Sequence, residues 1–288
     1  HGCYAGSLAN VCRWLGREAE ALGVEIYPGF AASDVVYGEN GEVRGVVAGV
    51  MGIGADGQKK PDYEPGMELL GKYVLFAEGA RGSLTKQIMN KYDLQADCDP
   101  QKFGIGLKEV WSVPEEIFVD GLVQHSFGWP VQDKDGNGGG FLYHFRDNGE
   151  PFVSVGYVVH LNYKNPYLAP YEEFQRYKHH PDIKRYLEGG KRVAYGARAI
   201  TSGGLQSIPK LSFPGGALIG CCAGFVNLPR IKGTHNAMKT GMLGAEAAFE
   251  AIKAGRSGDE MTEYDDAMHA SWVQKDLSTV RNMKPLMS

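Results

Sequence analysis

Residues Lys72–Ala77, KYVLFA, form an apolar run without alternation, and Glu78-Gly79-Ala80-Arg81-Gly82-Ser83 ends it at once. A strand with no polar face has to be covered on both sides, which points to a sheet with parallel neighbours and helices packed against it. Ser83 stands where a cap would open a helix running to about Tyr92. The same order recurs later. Ala217–Gly220 reads as a strand, a loop with two cysteines follows, and Gly233-Thr234 opens a helix to Ala254. Strand, glycine-rich turn and helix, twice over, predict an α/β fold with part of its sheet parallel.

The rest of the chain divides by pattern. Residues Gly6–Leu22 carry a helical stripe of Leu8, Val11, Cys12, Leu15, Ala19 and Leu22, with Gly23 as C-cap. Val24–Ile26 and Ala32–Tyr37 read as strands, and Glu39–Glu42 as a hairpin turn into a strand at Val43–Val50. GADGQKKPDYEPG reads as a polar loop. Between Phe103 and Tyr163 the character is β: FGIGLKEVW, LVQHSFGW, GGFLYHFRD and PFVSVGYVVHL are candidate strands, with turns at DKDGNGGG and DNGEP. An antiparallel sheet inserted into the α/β part accounts for this. A helix at Tyr171–Leu187, a strand at Val193–Ala199 and a helix over about Thr262–Thr279 complete the pass. The expected segments are 1–100 and 196–288 for the α/β part and 101–195 for the insertion.

Composition removes several classes of function. A net charge of −4 lacks the basic face that a nucleic acid requires, so no nucleic-acid partner is expected. No apolar run reaches the roughly 18 residues of a membrane span, which leaves contact with a membrane surface open. The cysteines are Cys3, Cys12, Cys98, Cys221 and Cys222, without a C-x-x-C pair. Neither a disulfide framework nor a metal site is expected within this chain. Forty glycines, against an ordinary usage of about 7%, mark many turns and close backbone approaches.

Glycine removes the side chain that keeps a ligand from the main chain, and a helix start presents free N–H groups and partial positive charge. The turns after Ala77 and Gly220 therefore suit an electron-rich or anionic group at strand carboxyl ends. Two such mouths suggest one extended ligand such as a dinucleotide. The same glycines also serve tight turns and close packing, and the sequence does not separate the two uses. Neither turn is a GxGxxG fingerprint; that unit is expected upstream of His1, which no methionine precedes.

Several stretches carry a more specific signal: LFAEGARGSL, KFGIGLKEVW, GGGFLYHF, NPYLAPYEEFQRYKHHP, LEGGKRVAYGARA, GGLQSIPKLSFPGGALIGC and PRIKGTHNAMKTGM. Through them the chain resembles the electron transfer flavoprotein–ubiquinone oxidoreductase family over essentially its whole length. The resemblance implies a glutathione-reductase-type FAD-binding fold carrying an inserted antiparallel β-sheet quinone-binding domain. It also implies a C-terminal [4Fe–4S] domain, whose ligands do not occur in this chain. The implied reaction passes electrons from reduced electron transfer flavoprotein through the cluster and FAD to ubiquinone. The implied place is a membrane surface, either the matrix side of the mitochondrial inner membrane or the bacterial cytoplasmic membrane.

By the same resemblance, Gly220, Cys221, Gly233 and Thr234 frame the flavin ring, and Gln206 supplies a second hydrogen bond to it. Many relatives carry Gly-Asp where Gly220-Cys221 stands, so a thiol or main-chain N–H has to replace a carboxylate. Glu78 and Gly79 match a second FAD contact region beside the adenosine or pyrophosphate. Gly138 and Gly139 match the quinone head site, with Phe127, Trp129 and Phe141 as a tail channel. Asn137 stands where an aromatic residue is expected before those glycines. Plainer uses remain open: a helix cap for Thr234, a hairpin turn for the glycine run, and a core or cap place for His235. Phe225, Val226, Leu228 and Pro229 form an apolar loop suited either to a membrane interface or to burial. Two rival readings also stand: a geranylgeranyl-reductase-like or aromatic-hydroxylase-like FAD enzyme fed by NAD(P)H, and an inactive quinone- or lipid-binding fragment.

Overall fold

The computed structural model describes residues 4–283. Its elements begin with α1 (Leu8–Ala21), β1 (Ala32–Tyr37), β2 (Val43–Ile53), β3 (Lys59–Leu70), β4 (Val74–Phe76) and α2 (Ser83–Lys91). The middle of the chain holds β5 (Phe103–Ser112), β6 (Val123–Phe127), β7 (Gly138–Asp147), β8 (Glu150–His160), α3 (Pro170–Lys178), α4 (Pro181–Lys184) and β9 (Lys191–Thr201). The chain continues with β10 (Ser212–Phe213), β11 (Gly216–Leu218), α5 (Thr234–Lys253), α6 (Thr262–Ala270) and α7 (Trp272–Thr279). Two compact units result. One combines residues 27–102 with those from 201 onward, and the other combines residues 103–200 with the segment up to residue 26.

In the α/β unit, β4 and β11 pair in parallel with Val74, Leu75 and Phe76 opposite Gly216, Ala217 and Leu218, and β10 adds an antiparallel edge. The lack of alternation in KYVLFA thus has its predicted cause. A separate antiparallel sheet runs β1-β2-β3. Phe76, Leu84, Ile88, Phe213, Leu218, Phe225 and Tyr264 form the core with Met268 and Leu277. Burial on this scale, at about 25 cal/mol per Å² of apolar surface, is the main force holding helices to sheet. The Tyr264 hydroxyl donates to the Leu218 carbonyl at 3.0 Å, so the end of β11 is anchored from α6.

In the sheet unit the strand order is β6-β7-β8-β5-β9. Alternation along β8 sends Val153, Val155, Tyr157 and Val159 into a core with Phe174 and Tyr177 of α3 and Ile183 of α4. Two buried carboxylates sit here. Glu173 holds Lys134 at 2.5 Å and Arg176 at 2.7 Å. Glu109 accepts from Lys178 at 2.8 and 3.0 Å, from Arg192 at 3.3 Å and from the Trp111 indole at 2.9 Å. Such pairing is what makes a buried charge tolerable.

Four local expectations are corrected. The polar loop GADGQKKPDYEPG contains most of β3, which pairs with β2 through a register shift and presents nearly every side chain to solvent, so it leaves no apolar alternation to read. Val24–Ile26 is not a strand; the Val24 amide instead donates to the Ala19 carbonyl at 3.0 Å, at the end of α1. The helix expected over Tyr171–Leu187 breaks at His179-His180, where Pro181 starts α4 and the His180 ring accepts from the Asp182 amide. The last helix divides at Ser271, whose extended backbone ends α6 and whose hydroxyl caps α7.

Candidate functional site

In the α/β unit the two strand–turn–helix mouths are neighbours because β4 and β11 are neighbours. Glu78 closes the first. Its carboxylate accepts from the Leu84 amide at 3.3 Å and from the Thr85 amide and hydroxyl at 2.6 and 2.7 Å, so it caps α2 in place of the expected Ser83. Ser83 is instead the first helical residue, preceded by Gly82. A full negative charge now stands against the partial positive charge of the α2 start. Gly79 beside it has φ +83° and open space where a Cβ would lie. The Thr85 hydroxyl also contacts the Cys222 sulfur at 3.5 Å, joining the first mouth to the second.

The second mouth is built from small residues for a visible reason. Gly220 has φ +61°, and a Cβ there would lie 3.3 Å from that of Ala237 on α5; one at Gly244 would lie 3.1 Å from Ile219. The Gly220 amide donates to Thr240 Oγ1 at 3.1 Å. The end of β11 can approach α5 this closely only without side chains between them. Cys221 is half-buried, and burial raises its thiol above the ordinary value, with Cys222 adding to the rise. The thiol is therefore neutral near pH 7 and offers a weak hydrogen bond but no carboxylate-like charge.

The start of α5 is open. Gly233 is its N-cap without a side-chain hydrogen bond, and no acidic residue stands in the first turn. The first helical bond runs from the Ala237 amide to the Gly233 carbonyl at 2.9 Å, so the amides of Thr234, His235 and Asn236 lack main-chain acceptors. Thr234 is an exposed first-turn residue and not the cap. Nearby polar atoms are orphaned. Asn236 Oδ1, Gln206 Oε1, Thr201 Oγ1 and Ser202 Oγ are buried with no hydrogen-bond partner among the described residues. Asn236 Nδ2 donates to the Phe225 carbonyl at 2.8 Å, and Ser202 and Val226 line one small cavity, so the Asn236 and Ser202 orphans lie beside the loop Gly224–Val226. Buried polar atoms are nearly always paired, which makes this set a place for a ligand's hydrogen-bonding groups. Gln206 is held by one bond from its Nε2 to the Arg281 carbonyl at 2.7 Å, and its Oε1 is the buried acceptor left without a partner among the described residues.

These features fit FAD. Uncapped amides and orphaned acceptors match a flavin's polar edge, and bare glycines permit its flat ring to approach. They do not fit a metal cluster: among the described residues no three His, Cys, Asp or Glu side chains converge. Nor is any described helix long and apolar enough to cross a membrane. Phe225 is buried in the core, which removes it from the apolar loop considered for membrane contact.

The glycine run of the sheet unit is not a turn. Gly138, Gly139 and Gly140 are the first residues of β7; all three pair with β8, and Gly139 and Gly140 pair with β6 as well. A Cβ at Gly138 would lie 2.5 Å from the Val158 carbonyl, one at Gly139 would lie 2.6 Å from the Ser126 carbonyl, and one at Gly140 would collide with the Tyr177 ring, so packing bars a side chain at all three. Gly139 is on the opposite face, in one row with Phe127 of β6, Val158 of β8 and Gly106 of β5. Phe127 is 66% exposed at the rim of this row. The next row holds His125, Phe141 and Gly156, with the Phe141 ring lying over Gly156. Of the two glycines expected at a quinone, Gly139 has the face for it and Gly138 points into the core. Trp129 packs edge-on against His180, with ring centroids 5.3 Å apart. Sequence reading missed Asn236, Thr85 and Cys222. No local pattern marks a side chain whose role comes from an orphaned atom or a bond across the fold.

Comparison with known proteins adds family-level evidence. Residues 103–200 match the family model described as ETF-QO, ubiquinone-binding. Over 290 residues the chain is 54% identical to the mitochondrial electron transfer flavoprotein–ubiquinone oxidoreductase of Rattus norvegicus, a match covering 99% of this chain and 47% of that protein. It is 55% identical over 283 residues to the Pseudomonas aeruginosa protein of the same name, covering 98% of this chain and 51% of the relative. The chain thus spans about half the length of the curated relatives it matches. Among solved structures, a geranylgeranyl bacteriochlorophyll reductase-like protein of Thermoplasma acidophilum superposes with a TM-score of 0.65 at 18% identity, over 95% of this chain and 64% of that one. A variant of the halogenase PltM in complex with FAD superposes at 0.52 and 13% identity, over 86% and 47%. These likenesses establish the mixed α/β fold with its inserted antiparallel sheet.

Proposed function

Because this chain belongs to the electron transfer flavoprotein–ubiquinone oxidoreductase family, we propose that it forms the flavin- and quinone-handling part of such an enzyme. The observation that carries the reading is an identity of 54% over 99% of this chain, a match that spans both units. Bound FAD supplies the redox chemistry, accepting electrons and passing them on. The amides of Thr234, His235 and Asn236 and the orphaned Gln206 Oε1 hold the polar edge of its ring. Gly220 leaves room for the ring, and Cys221 lends a neutral thiol beside it. Glu78 keeps α2 in place, and Gly79 gives the main chain access to the adenosine or pyrophosphate side. In the sheet unit the main chain at Gly139 meets the quinone head, and Phe127 and Phe141 line its apolar approach.

Reduced electron transfer flavoprotein is the proposed donor and ubiquinone the proposed acceptor. A lipid-soluble acceptor requires contact with a membrane surface, at the mitochondrial inner membrane or the bacterial cytoplasmic membrane. The [4Fe–4S] cluster belongs to this proposal only for the longer polypeptide, and no residue of this chain is assigned to it. The test is the visible spectrum of the chain after loading with FAD, followed by addition of reduced electron transfer flavoprotein and a ubiquinone analogue to the full-length protein. Bleaching by the flavoprotein and recovery on adding quinone is the expected result. Bleaching by NADPH alone would overturn the reading in favour of the reductase- or hydroxylase-like alternative.

A further inference from the structure

We propose that Asp276, on α7, is the positioning residue for the amino end of α5, holding that helix start open for the group it receives. The inference rests on the reading that the α5 start takes the polar edge of the flavin.

Both oxygens of Asp276 are engaged by the loop that leads into α5. Oδ2 accepts from Asn227 Nδ2 at 2.8 Å and pairs with His235 Nε2 at 3.3 Å, and Oδ1 accepts from the Arg230 guanidinium at 2.9 Å. The carboxylate is only 12% exposed, so these contacts are poorly screened. Burial by itself would raise its carboxyl, but the bonds from Asn227 and His235 and the charges of Arg230 and His235 hold it below the ordinary range. One turn earlier on the same helix, the Trp272 ring stacks on His235, with centroids 5.7 Å apart and an interplanar angle of 6°. Two consecutive turns of α7 therefore grip the first turn of α5.

A second observation explains why a grip is needed. Ile231, inside the held loop, has φ +55°, a left-handed conformation that a β-branched residue adopts only when its surroundings impose it. The imposed elements lie on either side of it. Arg230 is tied to Asp276, and Lys232 is tied to Asn227 by reciprocal main-chain bonds of 2.8 and 3.2 Å. Asn227 is fully buried and reaches Asp276 through its side chain. Without the carboxylate the loop loses the contacts that keep Ile231 in place and Gly233 at the helix start.

The two mouths of the unit now differ in kind. At α2 the carboxylate of Glu78 bonds directly to the first amides and occupies them. At α5 the carboxylate of Asp276 bonds only to side chains behind the helix start, leaving the amides available. One helix start is closed by its acid, and the other is steadied by its acid and left receptive.

The experiment compares the wild-type chain with D276N, D276E, R230A and, as a control on an exposed neighbour, K275A. Amide hydrogen exchange over residues 227–237 and FAD affinity by flavin fluorescence quenching are measured together. In D276N we expect exchange over 227–237 to rise about tenfold, beyond any change in the β4–β11 sheet, and FAD affinity to fall about tenfold. D276E is expected to recover part of both, and K275A to match wild type. R230A removes a largely exposed side chain, so it keeps the test alive should D276N fail to fold; its exchange should rise at residues 231–233. Wild-type exchange over 227–237 in D276N or R230A overturns the inference, as does a uniform rise across the unit. A wild-type chain that takes up no FAD counts against the flavin reading alone, because the exchange result still decides the role of Asp276.

Discussion

Glu109→Gln is the sharpest test of how the sheet unit is held together. The carboxylate is almost wholly buried, and its principal partner Lys178 has a side chain only 12% exposed. Arg192 is 45% exposed at 3.3 Å, so its share is screened to well under about 1 kcal/mol. The indole of Trp111 keeps an acceptor in the amide. What Glu109→Gln removes is the counter-charge of a mostly buried ammonium, and stranding one partner of such a pair costs about 3–5 kcal/mol. Retention of one amide oxygen puts the expectation at the lower end, about 3 kcal/mol. Lys178→Met strands the other charge and should cost a similar amount. The double variant buries neither charge, so it should lose less than about 2 kcal/mol, well short of the sum of the singles. Urea unfolding followed by tryptophan fluorescence measures all three, since Trp111 bonds to Glu109 directly. Loss of less than about 1 kcal/mol in Glu109→Gln, or strict additivity in the double variant, would refute the account.

Three further outcomes are expected. His144 is buried, its Nδ1 accepts from the Val119 amide at 3.1 Å, and burial lowers its pKa from 6.5. Its neutral form is favoured in the fold, so this contribution is complete above pH 6.5 and is lost as pH falls from there through the depressed value; His144→Gln should flatten that acid limb of a thermal-shift profile. Gly140→Ala drives a methyl into the Tyr177 ring and should lower stability by about 1–3 kcal/mol in urea titration. Tyr264→Phe leaves the Leu218 carbonyl of β11 without its buried donor and should cost about 1–2 kcal/mol by the same assay.

Much of this architecture was legible because periodicity reports burial. Ala32–Tyr37 forms β1 as read, and the four strands between Phe103 and Leu161 lie where alternation put them. β3 was hidden because its exposure gives no contrast between faces. The helix breaks at His180-Pro181 and at Ser271 were hidden because a single cap can interrupt an apolar stripe that continues beyond it. At the candidate site, glycine and helix-start chemistry pointed to the open end of α5 and to Gly220. Glu78 was legible as part of a mouth, but its capping of α2 depends on side-chain reach, which spacing does not encode. The glycine run read ambiguously for a physical reason. Packing bars a side chain at all three glycines, and only Gly139 lies on the other face of the sheet.

Within the α/β unit, the Lys102 carbonyl accepts from the Ser202 amide at 2.7 Å, and the Gln101 side chain accepts from the Gly203 amide at 2.8 Å. Two positions a hundred residues apart in sequence are therefore fixed side by side at one edge of this unit by two hydrogen bonds.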